Sequence, residues 1–231
     1  NGSGWSSVVA EGITYVANLK AGSLAGHPVV INMSLGGPSL DTMEQAAIDY
    51  AIGKGVIVVA SAGNKGEAGM SYPGAYAPVI SVAAAGWKRE WVIGPSWWYA
   101  DDVAEPTNPA DFYITDFSSR QKTDQDLDVA APGSWVVGPY QLQSGKTSYF
   151  FLAGTSMASP HVAGIVALMA QKKPSLTAAE AETILEGSAV YLAPGCRTVN
   201  QPSGPPESIC WGADATGWGL ATADAALGAT P

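Results

Sequence analysis

Three short apolar runs constrain this chain more than any other feature: Pro28-Val29-Val30-Ile31-Asn32-Met33, Val56-Ile57-Val58-Val59-Ala60 and Val79-Ile80-Ser81-Val82-Ala83. They are continuous rather than alternating. Each therefore predicts a strand covered on both faces, which is the habit of parallel sheets. Between the first two lies a helical pattern over 40–54, with Met43, Ala46, Ala47, Tyr50 and Ala51 on one face and Gly53 and Gly55 at its end. A helix of crossover length joining two such strands is a βαβ unit. The expected fold class is α/β: three layers, a mostly parallel β-sheet flanked by helices.

Other elements follow the same logic. Residues 6–20 read as a helix through Val9, Ile13, Val16 and Ala17, with Ser6 or Ser7 as its cap. Residues 126–133 read as a short strand running into a turn. A long helix is expected over 155–171, stopped near Lys173-Pro174, then a weaker one over 178–186 and a short one near 221–227. Between 86 and 116 the periodicity dissolves. Trp87, Trp91, Trp97, Trp98 and Tyr99 crowd a stretch that also holds Pro95, Pro106 and Pro109. Such a segment is either a surface excursion packed on the domain or a rim over a cleft.

The chain has 231 residues, 47% of them hydrophobic and 13% charged, enough to bury one core and too apolar for a disordered chain. Its net charge of −9 argues against nucleic-acid and anionic-membrane partners. The best apolar run, 162–170, falls far short of the ~20 residues of a membrane helix. The first residues, Asn1-Gly2-Ser3-Gly4, carry neither Met nor a basic-then-apolar leader, so an upstream segment is expected to have been removed or left out. Cys196 and Cys210 are either a disulfide closing a short loop in an oxidising compartment or two free thiols.

Sites in such folds lie at the carboxyl ends of the strands. There the chain offers Ser34-Leu35-Gly36-Gly37, Ser61-Ala62-Gly63-Asn64 and Gly86. The sharpest motif is Gly154-Thr155-Ser156-Met157-Ala158-Ser159-Pro160-His161-Val162-Ala163-Gly164. Its Gly-Thr turn delivers Ser156 to a helix start, where unpaired N–H groups and the positive end of the dipole favour developing negative charge. A serine hydroxyl there can attack a carbonyl, and its own N–H can stabilise the oxyanion. Alternatively Thr155 or Ser156 only caps the helix.

Residues 154–164 resemble the serine motif of the subtilisin-like serine peptidases (subtilases, peptidase S8 family). The stretches 31–37 and 58–64 agree with it, in the family's order, and the similarity runs from Gly2-Ser3-Gly4 to about Gly217-Trp218-Gly219-Leu220. The 86–116 segment reads as an insertion within a single subtilisin-like domain spanning 1–231. The resemblance implies that Ser156 is the nucleophile and Asn64 the side-chain oxyanion donor. It implies that polypeptide substrates lie between Gly2-Ser3-Gly4 and Ser34-Leu35-Gly36, and that Ala60, Ser61, Ala62 and Gly63 wall the pocket for the side chain before the cut bond. Those small walls suggest broad, apolar-tolerant specificity. It also implies a structural Ca²⁺ held by backbone carbonyls of Gly74, Tyr76 and Val79 with Asp126 and Asp128, where solvated carboxylates at a turn are the alternative.

The chain's two histidines do not supply a base. His161 follows Ser156 by about 7.5 Å along one helix and about 140° around it. His27 lies at the wrong end of its strand, roughly 16 Å from the site. Nothing resembles the family's Asp and His motifs, so the chain reads as the carboxyl-terminal two thirds of the catalytic domain. The missing amino-terminal segment, carrying Asp and His, is expected to be its partner. Alone the chain is then expected to be inactive and, with an apolar sheet edge exposed, marginally stable. A secreted serine endopeptidase is the first reading. A non-catalytic pseudo-peptidase that binds peptides is the second. A sedolisin-type peptidase is disfavoured by Asn64, and an α/β-hydrolase by the lack of a Gly-x-Ser-x-Gly elbow.

Overall fold

A computed structural model describes residues 3–100, 103 and 107–231. In chain order its principal elements are α1 (Ser6–Ala21), β1 (Val29–Met33), α2 (Thr42–Gly53), β2 (Val56–Ser61), β3 (Ile80–Trp87), α3 (Trp97–Ala100), β4 (Phe112–Ile114) and β5 (Val129–Pro132). The hairpin β6 (Val136–Gln143) and β7 (Lys146–Leu152), α4 (Thr155–Lys172), α5 (Ala178–Ser188), the hairpin β8 (Gly195–Val199) and β9 (Glu207–Trp211), and α6 (Ala223–Ala229) complete it.

The three apolar runs form the parallel strands β1, β2 and β3, side by side in that order, and β5 adds to β3 in parallel. β2 and β3 are buried along their whole length, as their unbroken apolar sequence requires. Alternate side chains feed two cores. Ile57, Val59, Val82 and Val129 pack on α4, α5 and α6, while Val56, Val58 and Ala60 pack on α1 and α2. The architecture is α/β, with helices on both faces of a mostly parallel sheet.

The mostly parallel sheet is as expected, with β4 added antiparallel to the end of β3, pairing Ala85 with Ile114 and Trp87 with Phe112. Other expectations are corrected. The aromatic segment is thus structured in its described parts, holding β4, α3 and two 3₁₀ turns. The helix α1 starts at Trp5, with Ser6 and Ser7 inside it and no side-chain cap. The buried face of α2 is Glu44, Ala47, Ile48 and Ala51, whereas Met43 and Tyr50 are exposed. Packing against α1 and β2 selects that face over the more apolar one, and the Tyr50 hydroxyl donates to Asn18 of α1 at 2.9 Å. Neither β-hairpin was anticipated. The second is closed by a Cys196–Cys210 disulfide between directly paired residues.

Candidate active site

The long helix α4 packs on one face of the sheet and brings its first turn to the carboxyl ends of β1 and β2. Two sets of contacts hold it there. On the β2 side, the Thr155 N–H and the Thr155 hydroxyl both donate to Asn64 Oδ1, each at 2.9 Å. The same hydroxyl oxygen accepts the Gly63 N–H at 3.1 Å. An amide whose oxygen is held by two donors presents its nitrogen in a fixed direction. On the β1 side, the Ser34 hydroxyl donates to the Ser156 carbonyl at 2.8 Å and lies 3.0 Å from the Ser159 hydroxyl. The Asn32 amide donates to Ser34 Oγ at 3.0 Å.

Ser156 and Asn64 therefore open into one pocket of about 220 Å³, bounded also by Leu35, Gly36, Ser61 and Gly63. The Ser156 hydroxyl lies 3.4 Å from the Ser34 carbonyl. The first-turn N–H groups of α4 have no intrahelical acceptor and carry the positive end of the helix dipole. This geometry can hold a carbonyl carbon against Ser156 Oγ, with its oxygen facing an amide donor and a helix N-terminus.

Gly154 precedes the helix with a φ of 158°, against Asn64. A Cβ added there would lie 3.4 Å from Asn64 Nδ2. Gly63, at φ 106°, has no room at all: a Cβ would meet Ser71 Oγ at 2.5 Å.

Of the residues expected to bind substrate, Ser3 and Gly4 share a cleft of about 810 Å³ with Ser34, Leu35 and Gly36. Gly2 lies outside the described residues. Ala60 and Ala62 are not among the residues bounding this pocket: Ala60 is buried against α1 and α2, and Ala62 in a third cluster with Met70, Ala85 and Leu127. Ser61 and Gly63 do line it, joined by Lys65 and Ser71, which sequence reasoning missed. Thr155 lay inside the recognised motif, but its grip on Asn64 has no signal in the sequence.

Both histidines are away from the Ser156 hydroxyl. His161 points its Nδ1 at the Met157 carbonyl, 2.8 Å off, within its own helix. His27 follows a turn before β1, with its N–H donating to the Leu24 carbonyl and its own carbonyl accepting Lys20 Nζ.

The expected Ca²⁺ ligands separate into two groups. Asp126 and Asp128, before β5, meet Glu182 of α5, with one oxygen of each within 4.8 Å of the others. Asp128 is fully buried. Its Oδ2 accepts the Ser81 N–H at 2.6 Å and the Ser81 hydroxyl at 2.9 Å, while Oδ1 has no hydrogen-bond partner. Burial pushes the Asp128 carboxyl up to about 8, and Ser81 only partly offsets it. Burial, then Glu186 and Asp126, raise Glu182 to about 7. By contrast, Gly74 packs against the Ser61 carbonyl, and the Tyr76 carbonyl already accepts the Val79 N–H. The acidic group whose oxygens could hold a cation is thus Asp126, Asp128 and Glu182. The third member was not legible, since it comes from a helix more than fifty residues away in sequence.

Comparison with known proteins bears on this geometry directly. The family model described as the subtilase family matches residues 1–212. The chain belongs to the subtilase family. This subtilase is 36% identical to thermitase of Thermoactinomyces vulgaris over 200 residues, covering 84% of this chain and 58% of thermitase. It is 35% identical to subtilisin DY of Bacillus licheniformis over 196 residues, covering 83% of this chain and 58% of that protein. The chain therefore spans little more than half the length of these relatives. Among solved structures, a protease from Pseudoalteromonas arctica PAMC 21717 matches with a TM-score of 0.68 at 30% identity, over 99% of this chain and 60% of the other. Sphericase matches with a TM-score of 0.67 at 26% identity, over 95% and 64%. Among the described residues, no helix of this subtilase is long and apolar enough to cross a membrane.

Proposed function

We propose that this chain carries the nucleophile and oxyanion site of a serine endopeptidase that works through an acyl-enzyme. The observation that supports it most is the shared pocket of Ser156 and Asn64, with Asn64 oriented by Thr155. A polypeptide lies as an added strand along Ser34-Leu35-Gly36, opposite Ser3-Gly4. The Ser156 hydroxyl attacks the carbonyl carbon, and the oxyanion is met by Asn64 Nδ2 and the Ser156 N–H. The proton on Ser156 needs a base, and neither His27 nor His161 is placed to take it. The base and its orienting carboxylate therefore come from chain outside these 231 residues.

Without them, only the oxyanion and binding contributions remain, about 10³–10⁴ over water. A serine-directed fluorophosphonate probe tests this reading. The protein with its upstream segment should label at Ser156 and Ser156→Ala should not, while the 231-residue chain alone labels far more slowly. Equal labelling of chain and Ser156→Ala in both forms would instead support a peptide-binding pseudo-peptidase.

A Ca²⁺ ion held by Asp126, Asp128 and Glu182 is the second part of the proposal. Hard oxygen donors suit it, and Asp128 Oδ1 is buried there with no hydrogen-bond partner. Its role would be structural, neutralising clustered charge at the edge of the sheet remote from Ser156. The disulfide and the absence of other cysteines support residence in an oxidising compartment, outside the cytosol.

A further inference from the structure

The aromatic segment builds a second cavity on the same edge of the sheet, two strands along from Asn64. It encloses about 300 Å³ between Trp87, Trp97, Trp98 and Trp135, with Glu90 and His161 also lining it. Four indoles and Phe112 line it, and the aromatic wall is braced. Trp91 meets Trp135 edge-on at 5.5 Å and Phe151 at 4.7 Å, and Trp97 stacks on Phe151 at 6.3 Å. Phe151 belongs to β7, which leads directly into the turn before Ser156.

Among the described lining residues Glu90 is the one carboxylate, and it is 2% exposed. Its Oε1 accepts the Trp87 N–H at 2.9 Å, and its Oε2 accepts the Ser134 hydroxyl at 2.7 Å, with the Tyr113 hydroxyl 3.3 Å away. Those bonds fix the orientation of the carboxyl. Burial raises it to about 7, and a cation entering this indole-walled box favours its ionised form, because the ring faces and the carboxylate attract the same species. One wall already does so: Arg89 lays its guanidinium over the Trp87 ring at 5.9 Å. His161 adds an acceptor, since its Nδ1 must donate to the Met157 carbonyl and leaves Nε2 bare in the neutral ring. The net charge of −9 draws cations to the whole molecule. Finally, the Trp97 indole N–H is buried without an acceptor, which a peptide carbonyl beside the cation would supply.

We propose that this cavity is a recognition site for a basic side chain, lysine or arginine, of a polypeptide. Binding itself does not depend on the peptidase reading. Its place relative to a cut bond does rest on that reading: β7, whose Phe151 braces the cavity, leads into the turn before Ser156.

The test is equilibrium binding to the 231-residue chain, read by tryptophan fluorescence and by calorimetry at low salt. The probes are N-acetyl-arginine amide, N-acetyl-lysine amide and the uncharged N-acetyl-norleucine amide. The basic amides should saturate and bind at least tenfold tighter than norleucine. Glu90→Gln should remove that preference, as should Trp98→Ala at the half-exposed wall, with thermal melts reporting that each variant folds. Ser156→Ala should bind as the parent chain does, which separates this site from the peptidase reading. Equal affinity for norleucine and arginine amides, or a preference surviving both substitutions, would overturn the proposal.

Discussion

Thr155 holds Asn64 by two hydrogen bonds to one oxygen, from its N–H and from its hydroxyl, both at 2.9 Å. The helix that presents Ser156, the proposed nucleophile, therefore also aims the amide expected to meet the oxyanion. Two residues 91 positions apart act as one device.

That relationship predicts the effect of Thr155→Val. Valine keeps the shape but loses the hydroxyl donor to Asn64 and the acceptor for Gly63 N–H. A hydrogen bond of this kind is worth about 1–1.5 kcal/mol, so kcat/KM of the complete protein should fall roughly tenfold, with Thr155→Ser restoring most of it. Unaltered kinetics in the valine variant would show that Asn64 is held by other means. Asn64→Leu should cost more, about 10²–10³ in kcat, a magnitude that belongs to subtilisin, itself a relative, and is not deduced from this geometry.

Lys65 is the charged residue lining the pocket beside Ser156. Substrates with Glu before the cut bond should therefore be favoured over those with Lys. Because the ammonium is exposed, the bias should be modest, about fivefold. Lys65→Glu should reverse it, measured as the ratio of kcat/KM for a Glu and a Lys substrate; an unchanged ratio would remove Lys65 from specificity.

Ca²⁺ should raise the melting temperature of the chain. At one hundred times its Kd, a ligand confined to the folded state adds about 2.7 kcal/mol. Glu182→Ala should abolish the Ca²⁺-dependent rise yet leave the protein at least as stable in EDTA, since it relieves repulsion with Asp126 and Asp128. A Ca²⁺ effect that survives Glu182→Ala and Asp128→Asn would place the ion elsewhere.

Glu90 gives the fold a pH dependence. Burial raises its carboxyl from the ordinary 4.5 to about 7. The folded state thus holds this proton more tightly than the unfolded chain does. Stability from this group is undiminished below pH 4.5 and falls as pH rises to about 7, by roughly 3 kcal/mol at most. Asp128 and Glu182, also raised by burial, steepen the same trend when Ca²⁺ is absent. Melting temperatures in EDTA should decline between pH 5 and 8, and Glu90→Gln should flatten that slope. A slope identical in Glu90→Gln would rule out Glu90 as a source.

Much of this molecule could be read from its residues. The unbroken runs at 56–60 and 79–83 had no polar face to offer water, so they had to become β2 and β3 inside a sheet with helices on both sides. The Gly-Thr-Ser turn announced the start of α4. The less legible parts share one physical character, which is that distant neighbours decide them. Met43 and Tyr50 looked like the inner face of α2, but the neighbours in α1 and β2 buried Glu44 and Ile48 instead. The strand β4 has three residues, too few to carry a periodic signal, and forms because β3 extends to Trp87 and offers it an edge.

By itself the sequence determined the layers and the parallel character of the strands, for which local hydrophobic pattern suffices, while the pairing of Ser156 with Asn64 came from the resemblance to the subtilases. Only the tertiary structure decided which side chains meet: Thr155 on Asn64, Glu182 on Asp126 and Asp128, and Glu90 among the tryptophans. Such meetings depend on how whole elements pack, and no window of consecutive residues encodes the distance between two of them.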